Sequence, residues 1–206
     1  MKKITTLFSI ALVALLAFNA QAQEDMLGKV MNDLPKMKDA NNKGKKTSFA
    51  DFKDAKGFIL IFTCNHCPFS VAYEDRIVAL DKKFKAKGYP VIAVNPNDPG
   101  KYPSDGYKAM ITRAKEKGFT FPYLLDPTSN VARAYKASRT PHVYILNKQG
   151  NKYKVVYVGA IDDSARDESK ISKKYVEAAI ADLLKGKKPS KNYTRAIGCS
   201  IKMRTK

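Results

Sequence analysis

The stretch Phe58-Ile59-Leu60-Ile61-Phe62-Thr63-Cys64-Asn65-His66-Cys67-Pro68 decides how this chain is read. Five consecutive apolar residues have the length of a strand buried on both faces, since a face open to water would show polar residues at alternate positions. Two cysteines separated by two residues follow at once. Pro68 then suits the first turn of a helix, where a missing backbone donor costs nothing. Beyond it Val71, Ile77, Val78, Leu80 and Phe84 recur at mostly helical spacing until Gly88 stops the element. A buried strand, a cysteine turn and an amphipathic helix therefore come in order.

The alternation continues downstream. Tyr89 to Val94 reads as a strand, Asn95 to Ser104 as a Pro, Asn and Gly loop, and Tyr107 to Lys117 as a helix. A short strand at Tyr123 to Leu125 and a helix from Asn130 to Tyr135 follow. The strands His142 to Leu146 and Tyr153 to Val158 lie close together across Asn147 to Asn151, which is hairpin chemistry. A last amphipathic helix spans about Ser172 to Lys185. Strand and helix alternation ending in a hairpin and a helix predicts an α/β fold, a three-layer α/β/α sandwich with a mixed central sheet. The expected organisation is a signal peptide at 1–22, an N-terminal arm at 23–46 that is mobile or forms an edge element, one domain at 47–186, and a basic tail at 187–206 containing Cys199.

The leader reading rests on a basic start at Met1 to Lys3, an apolar stretch from Ile4 to Phe18, and Ala20-Gln21-Ala22, which fits the small-x-small cleavage rule. The apolar stretch is shorter than the roughly 20 residues of a spanning helix, and no later segment is long and apolar enough to cross a membrane. Export to the periplasm or beyond the bacterial envelope is the expectation. The chain has 206 residues, 38 Lys+Arg against 19 Asp+Glu and a formal charge of +19. Without the two lysines of the leader it keeps +17. Only seven of the basic residues are Arg, and the lysines fall in scattered patches rather than one stripe interleaved with aromatics. This argues against specific nucleic-acid binding and for a solvated basic coat, with anionic surfaces as a secondary contact. With 44% hydrophobic residues the chain can bury a core, and three Cys are too few for a disulfide framework.

The chemistry gathers at the scarce residues. Amides and dipole at a helix start stabilise an anion, so Cys64 is expected to be thiolate-rich, with Cys67 one turn on able to close a disulfide. An imidazolium at His66 would favour the reduced form and make the disulfide more oxidising. The alternatives are a static disulfide, inert buried thiols, or a zinc site that would need His142 and Cys199 to complete it. A second feature is Arg139-Thr140-Pro141-His142 at the start of an apolar strand. A cis Thr140-Pro141 bond there would leave neighbouring backbone groups free to pair with an extended peptide, and an ordinary trans proline at a strand edge is equally compatible with the sequence. His142 fits either a packing or a proton-handling role. Cys199 in Ile197-Gly198-Cys199-Ser200-Ile201-Lys202 is an odd cysteine, read as a free reactive thiol, an intermolecular bridge, a resolving partner, or a packed inert thiol.

Residues 48–69, SFADFKDAKGFILIFTCNHCPF, and 121–150, FPYLLDPTSNVARAYKASRTPHVYILNKQG, resemble the thioredoxin superfamily. They are most similar to its branch of TlpA/ResA-type envelope proteins and AhpC/TSA redoxin-domain proteins. The likeness extends from about Phe49 to Leu184. It implies a thioredoxin-like fold, Cys64 as attacking thiol, Cys67 as resolving thiol, and Pro141 as the cis proline facing them, with Thr140 beside it. Several features depart from the pattern. Thr63 stands where a Trp is usual, Asn65-His66 replaces Gly-Pro and resembles the oxidising centre of a disulfide oxidase, and no residue is assignable as the family's buried carboxylate. Thr63 directly before Cys64 also departs from the peroxiredoxin pattern.

These features predict an exported thiol-disulfide oxidoreductase in which Cys64 and Cys67 exchange with protein thiols or disulfides and with an electron-exchange partner. No metal and no organic cofactor are called for. A thiol peroxidase with Cys64 peroxidatic is the alternative enzyme, and a Cu(I)-holding module using Cys64, Cys67 and His66 the non-enzymatic one.

Overall fold

A computed structural model describes residues 24–205, so the leader expected at 1–22 lies outside the described residues. The central sheet has the order β1-β9-β8-β4-β5-β6, built from β1 (Val30–Met31), β4 (Gly57–Phe62), β5 (Val91–Asn95), β6 (Tyr123–Leu125), β8 (His142–Gln149) and β9 (Lys152–Gly159). β4, β5 and β6 run parallel, while β8 is antiparallel to both β4 and β9. It is the mixed sheet the alternation predicts.

β4 is apolar throughout because both of its faces are covered. Phe58, Leu60 and Phe62 enter one core cluster, and Ile59 and Ile61 enter the other. The layer over Ile59 and Ile61 holds α1 (Pro68–Phe84) with Tyr73, Ile77 and Phe84, α2 (Tyr107–Glu116) with Met110 and Ala114, and α4 (Tyr175–Leu184) with Val176 and Ile180. The opposite layer holds α3 (Asn130–Ala134) with Val131 and Ala132, together with Met26, Leu34 and Met37. Residues 24–46 thus form an edge element: β1 lies antiparallel on β9, and β2 (Met37–Lys38) pairs with β3 (Lys46–Thr47). At roughly 25 cal/mol per Å2, three buried Met and Leu side chains stabilise this segment by several kcal/mol.

α4 starts at Tyr175, three residues later than the periodicity predicts, because Asp163 binds the backbone N–H groups of Ser172 and Lys173 and holds them in a loop. After α4 the chain returns across the sheet. Thr194 Oγ1 accepts the Ala160 N–H at 2.9 Å where Gly159 has φ +149°, and a side chain on Gly159 would come within 2.1 Å of that oxygen. The tail then adds β10 (Cys199–Ser200) antiparallel to β7 (Arg139–Thr140). Among the described residues no helix is long and apolar enough to cross a membrane.

Candidate functional site

The turn between β4 and α1 carries both cysteines as free thiols, with Cys64 2% exposed and Cys67 fully buried. Helix α1 begins at Pro68, so the N-cap is Cys67 and not Cys64. That placement corrects the expectation of a thiolate on Cys64. A hydrogen bond from the Cys64 thiol brings the Cys67 thiol down to about 4 against the opposing effect of burial, helped by Cys199 and by the Ser70 backbone N–H. Cys64 is pushed upward by sharing that bond, by burial and by the charge of Asp105, while the Thr140 hydroxyl and the Cys67 N–H act in the opposite sense. The two shifts run in opposite directions, making Cys67 the more acidic thiol of the pair. When protonated, Cys67 Sγ donates to Thr140 O at 3.1 Å. Cys64 Sγ lies 3.3 Å from Thr140 Oγ1 and 3.8 Å from Ser70 Oγ.

A buried carboxylate anchors the turn. Asp105 has no exposed surface and accepts the Asn65 N–H at 2.7 Å, Asn97 Nδ2 at 2.9 Å and Asn95 Nδ2 at 3.3 Å. His66 Nδ1 contacts its Oδ2, and the His66 ring stacks on Tyr102 with centroids 4.0 Å apart and planes 12° apart. Asn65 Nδ2 donates to Ser104 O at 2.7 Å, and Tyr123 OH donates to Asn65 Oδ1 at 2.9 Å. The two residues between the cysteines are therefore strapped to the loop after β5. Asp105, Asn95, Asn97, Tyr102 and Tyr123 were not among the sequence candidates. The polar loop around residues 95–105 was visible as a loop, but nothing local marks which of its side chains turns inward.

Cys64, His66 and Asp105 form one group of three metal-ligating side chains among the described residues, their ligand atoms all within 4.8 Å of one another. The group includes neither His142 nor Cys199, the two residues a zinc site would have needed. His66 Nδ1 and Asp105 already bind each other.

Thr140-Pro141 is a cis peptide. The backbone before it is not free, as the sequence left open: Cys199 of β10 is paired opposite Thr140 and Ser200 opposite Arg139. The chain's own tail therefore occupies the strand edge on which an extended peptide was expected.

His142 is wholly buried, its ring 4.7 Å from that of Tyr144, its Nδ1 3.3 Å from Tyr144 OH and its Nε2 without a protein partner. It takes the packing role. Burial, with the Arg139 charge second, pushes its pKa from 6.5 down to about 3. The unfolded chain accepts a proton that the folded state refuses. Folding stability from this residue is intact above about pH 6.5 and declines as pH falls towards 3, by roughly 5 kcal/mol at full swing. In urea titrations across that window, His142→Gln is expected to show a flatter pH dependence than the parent; an equal slope would refute the assignment.

Two cysteines at a strand-turn-helix junction beside a cis proline, on a mixed sheet covered on both faces, define a thioredoxin-like fold. The chain belongs to the AhpC/TSA family, whose model matches residues 30–157. It is 29% identical over 128 residues to the thiol-disulfide oxidoreductase ResA of Bacillus subtilis, a match covering 61% of this chain and 65% of ResA. The chain thus spans a little under two thirds of that relative. An uncharacterized conserved protein from Geobacillus kaustophilus superposes with a TM-score of 0.78 at 35% identity, covering 87% of this chain and 93% of the other. The exposed lipoprotein thioredoxin of Streptococcus pneumoniae shares the fold with a TM-score of 0.53 at 19% identity, over 75% of this chain and 98% of its own.

Proposed function

We propose that the protein is an exported thiol-disulfide oxidoreductase working through Cys64 and Cys67. The observation that carries this reading is the hydrogen-bonded pair of free thiols beside Thr140-Pro141. Cys64 passes its proton to Cys67 and attacks a client disulfide, forming a mixed disulfide and expelling a client thiolate. The Thr140 hydroxyl, 3.3 Å from the Cys64 sulfur, supports the charge as it arrives there. Cys67 then gives up its proton to the departing client sulfur and attacks Cys64, leaving a Cys64–Cys67 disulfide and a client whose other sulfur, expelled as thiolate, takes its proton from solvent. In reverse the same steps oxidise a dithiol, and an electron-exchange partner resets the pair. Asp105 and the Tyr102 stack hold His66 beside the pair, where its ring tunes the charge. A client peptide approaching Pro141 competes with β10 for the Arg139–Thr140 edge. Export rests on the leader pattern at 1–22, and the scattered lysines supply a basic coat without a nucleic-acid stripe.

A redox titration with mass mapping of cysteine pairs tests the reading. Cys64 and Cys67 are expected to interconvert between dithiol and disulfide over physiological potentials, with brisk exchange against a protein disulfide. Failure to interconvert rejects the proposal. Fast, selective sulfenate formation on Cys64 with peroxide would move the assignment to a peroxidase, and tight stoichiometric Cu(I) binding without exchange would move it to a metal carrier.

A further inference from the structure

Cys199 lies 132 positions beyond Cys67 in the chain. The tertiary structure brings the two residues to the same strand residue, Thr140. Cys199 is the cross-strand partner of Thr140, and Thr140 O is the acceptor of Cys67 Sγ at 3.1 Å. Hydrogen bonds from both the Cys199 side chain and its backbone act on the Cys67 sulfur. Of the three cysteines Cys199 is the one with appreciable solvent exposure.

The tail is seated there by a fitted backbone. A Cβ on Gly198 would lie 2.1 Å from Thr140 O and 2.6 Å from its carbonyl carbon, so only glycine permits this approach. Past the cysteine, Ile201 N donates to Ser138 O at 3.1 Å and Lys202 N to Asn97 Oδ1 at 2.8 Å, while Lys202 O accepts the Asp98 N–H at 2.8 Å. Those anchors join the tail to β7 and to the same loop that carries Asp105.

We propose that Cys199 is a third redox thiol, which attacks Cys67 of the Cys64–Cys67 disulfide to give a Cys67–Cys199 disulfide and release Cys64. The step rests on the redox reading of Cys64 and Cys67. It balances internally: the Cys64–Cys67 bond breaks, the Cys67–Cys199 bond forms, and the proton lost by Cys199 goes to the Cys64 thiolate. No external oxidant or reductant is consumed. The disulfide moves from two buried sulfurs to one that includes the half-buried Cys199, where an electron-exchange partner can reach it. Burial and then the neighbouring Cys67 sulfur raise the Cys199 thiol to about 11 in the reduced protein. Once Cys67 is held in a disulfide it no longer carries charge, and the part of that restraint owed to it is removed.

The test uses the full chain with Cys64→Ser, leaving Cys67 and Cys199 as its only thiols. Under oxidised dithiothreitol, both thiols are expected to disappear together and a Cys67–Cys199 linked peptide to appear on non-reducing mass mapping. Cys64→Ala serves equally if the hydroxyl disturbs the buried turn. Adding Gly198→Val, which unseats β10, should abolish the linked peptide. Two thiols still titratable in Cys64→Ser, or a dimer linked through Cys199, would overturn the proposal. Cys199→Ser separates the two readings: it should still form Cys64–Cys67, and if it does not, the redox-pair reading fails and the relay step with it.

Discussion

Cys64→Ala is expected to lower disulfide-exchange activity about a thousandfold or more, because the reaction loses the sulfur that attacks the client. The same substitution should leave a second signature. The Cys64 thiol is the largest influence holding Cys67 down to about 4, so its removal should raise the Cys67 pKa, followed by the thiolate absorbance in the ultraviolet. Cys67→Ser has a different expected result: Cys64 retains its attack and accumulates as a mixed disulfide with the client, since the buried resolving sulfur is gone. Comparable activity in Cys64→Ala and the parent would remove Cys64 from the attacking role, and trapping through Cys67 instead of Cys64 would invert the assignment.

Asp105→Leu carries the second large effect. The carboxylate accepts from Asn65 N, Asn95 Nδ2 and Asn97 Nδ2 and binds His66 Nδ1; Asp105, Asn95 and Asn97 are buried, while Asn65 and His66 are partly exposed. An apolar residue of similar bulk leaves the buried Asn95 and Asn97 donors without an acceptor at about 1–3 kcal/mol each, and frees the partly exposed Asn65 and His66 donors at a smaller cost because water reaches them. A net loss of about 4 kcal/mol in urea unfolding is expected. Because two of the donors belong to residues inside the cysteine turn, the redox potential of the pair should shift in the same variant. Asp105→Asn retains one acceptor oxygen and should lose less. A loss below about 1 kcal/mol with an unchanged potential would show that the carboxylate does not position the turn.

The limits of sequence reading follow from the range of the interactions. The β4 run and the helix after it are local: apolar continuity reports burial on both faces, and Pro68 and Gly88 mark the start and stop of the helical segment. Thr140-Pro141 was likewise visible as a feature of a strand start. The partner of that strand was not visible. Its edge is taken by residues 199–200, about sixty positions downstream, and a two-residue strand has no periodicity to announce it. The buried carboxylate was missed for the same reason. Asp105 looks like any loop aspartate until the fold carries Asn65 and His66, some forty positions earlier, onto it. His142 could face either layer by alternation alone, and its register opposite Phe62 puts it among the aromatic rings.

The charge on the thiol pair shows the difference most directly. Two residues between cysteines just before a helix imply an electropositive helix start, and a one-dimensional reading awards its effect to the first sulfur. The backbone instead makes Cys67 the cap, with donors from Ser70, Cys64 and Cys199 converging on it. The strand-turn-helix unit, the mixed α/β architecture and the place of the two thiols are legible in the residues alone, because each depends on patterns within a few turns of chain. Which sulfur is the more acidic, which carboxylate braces the turn and the approach of Cys199 to Cys67 emerge with the packed fold. Those outcomes depend on groups distant in sequence whose burial and hydrogen bonding exist only once the sheet has brought them together.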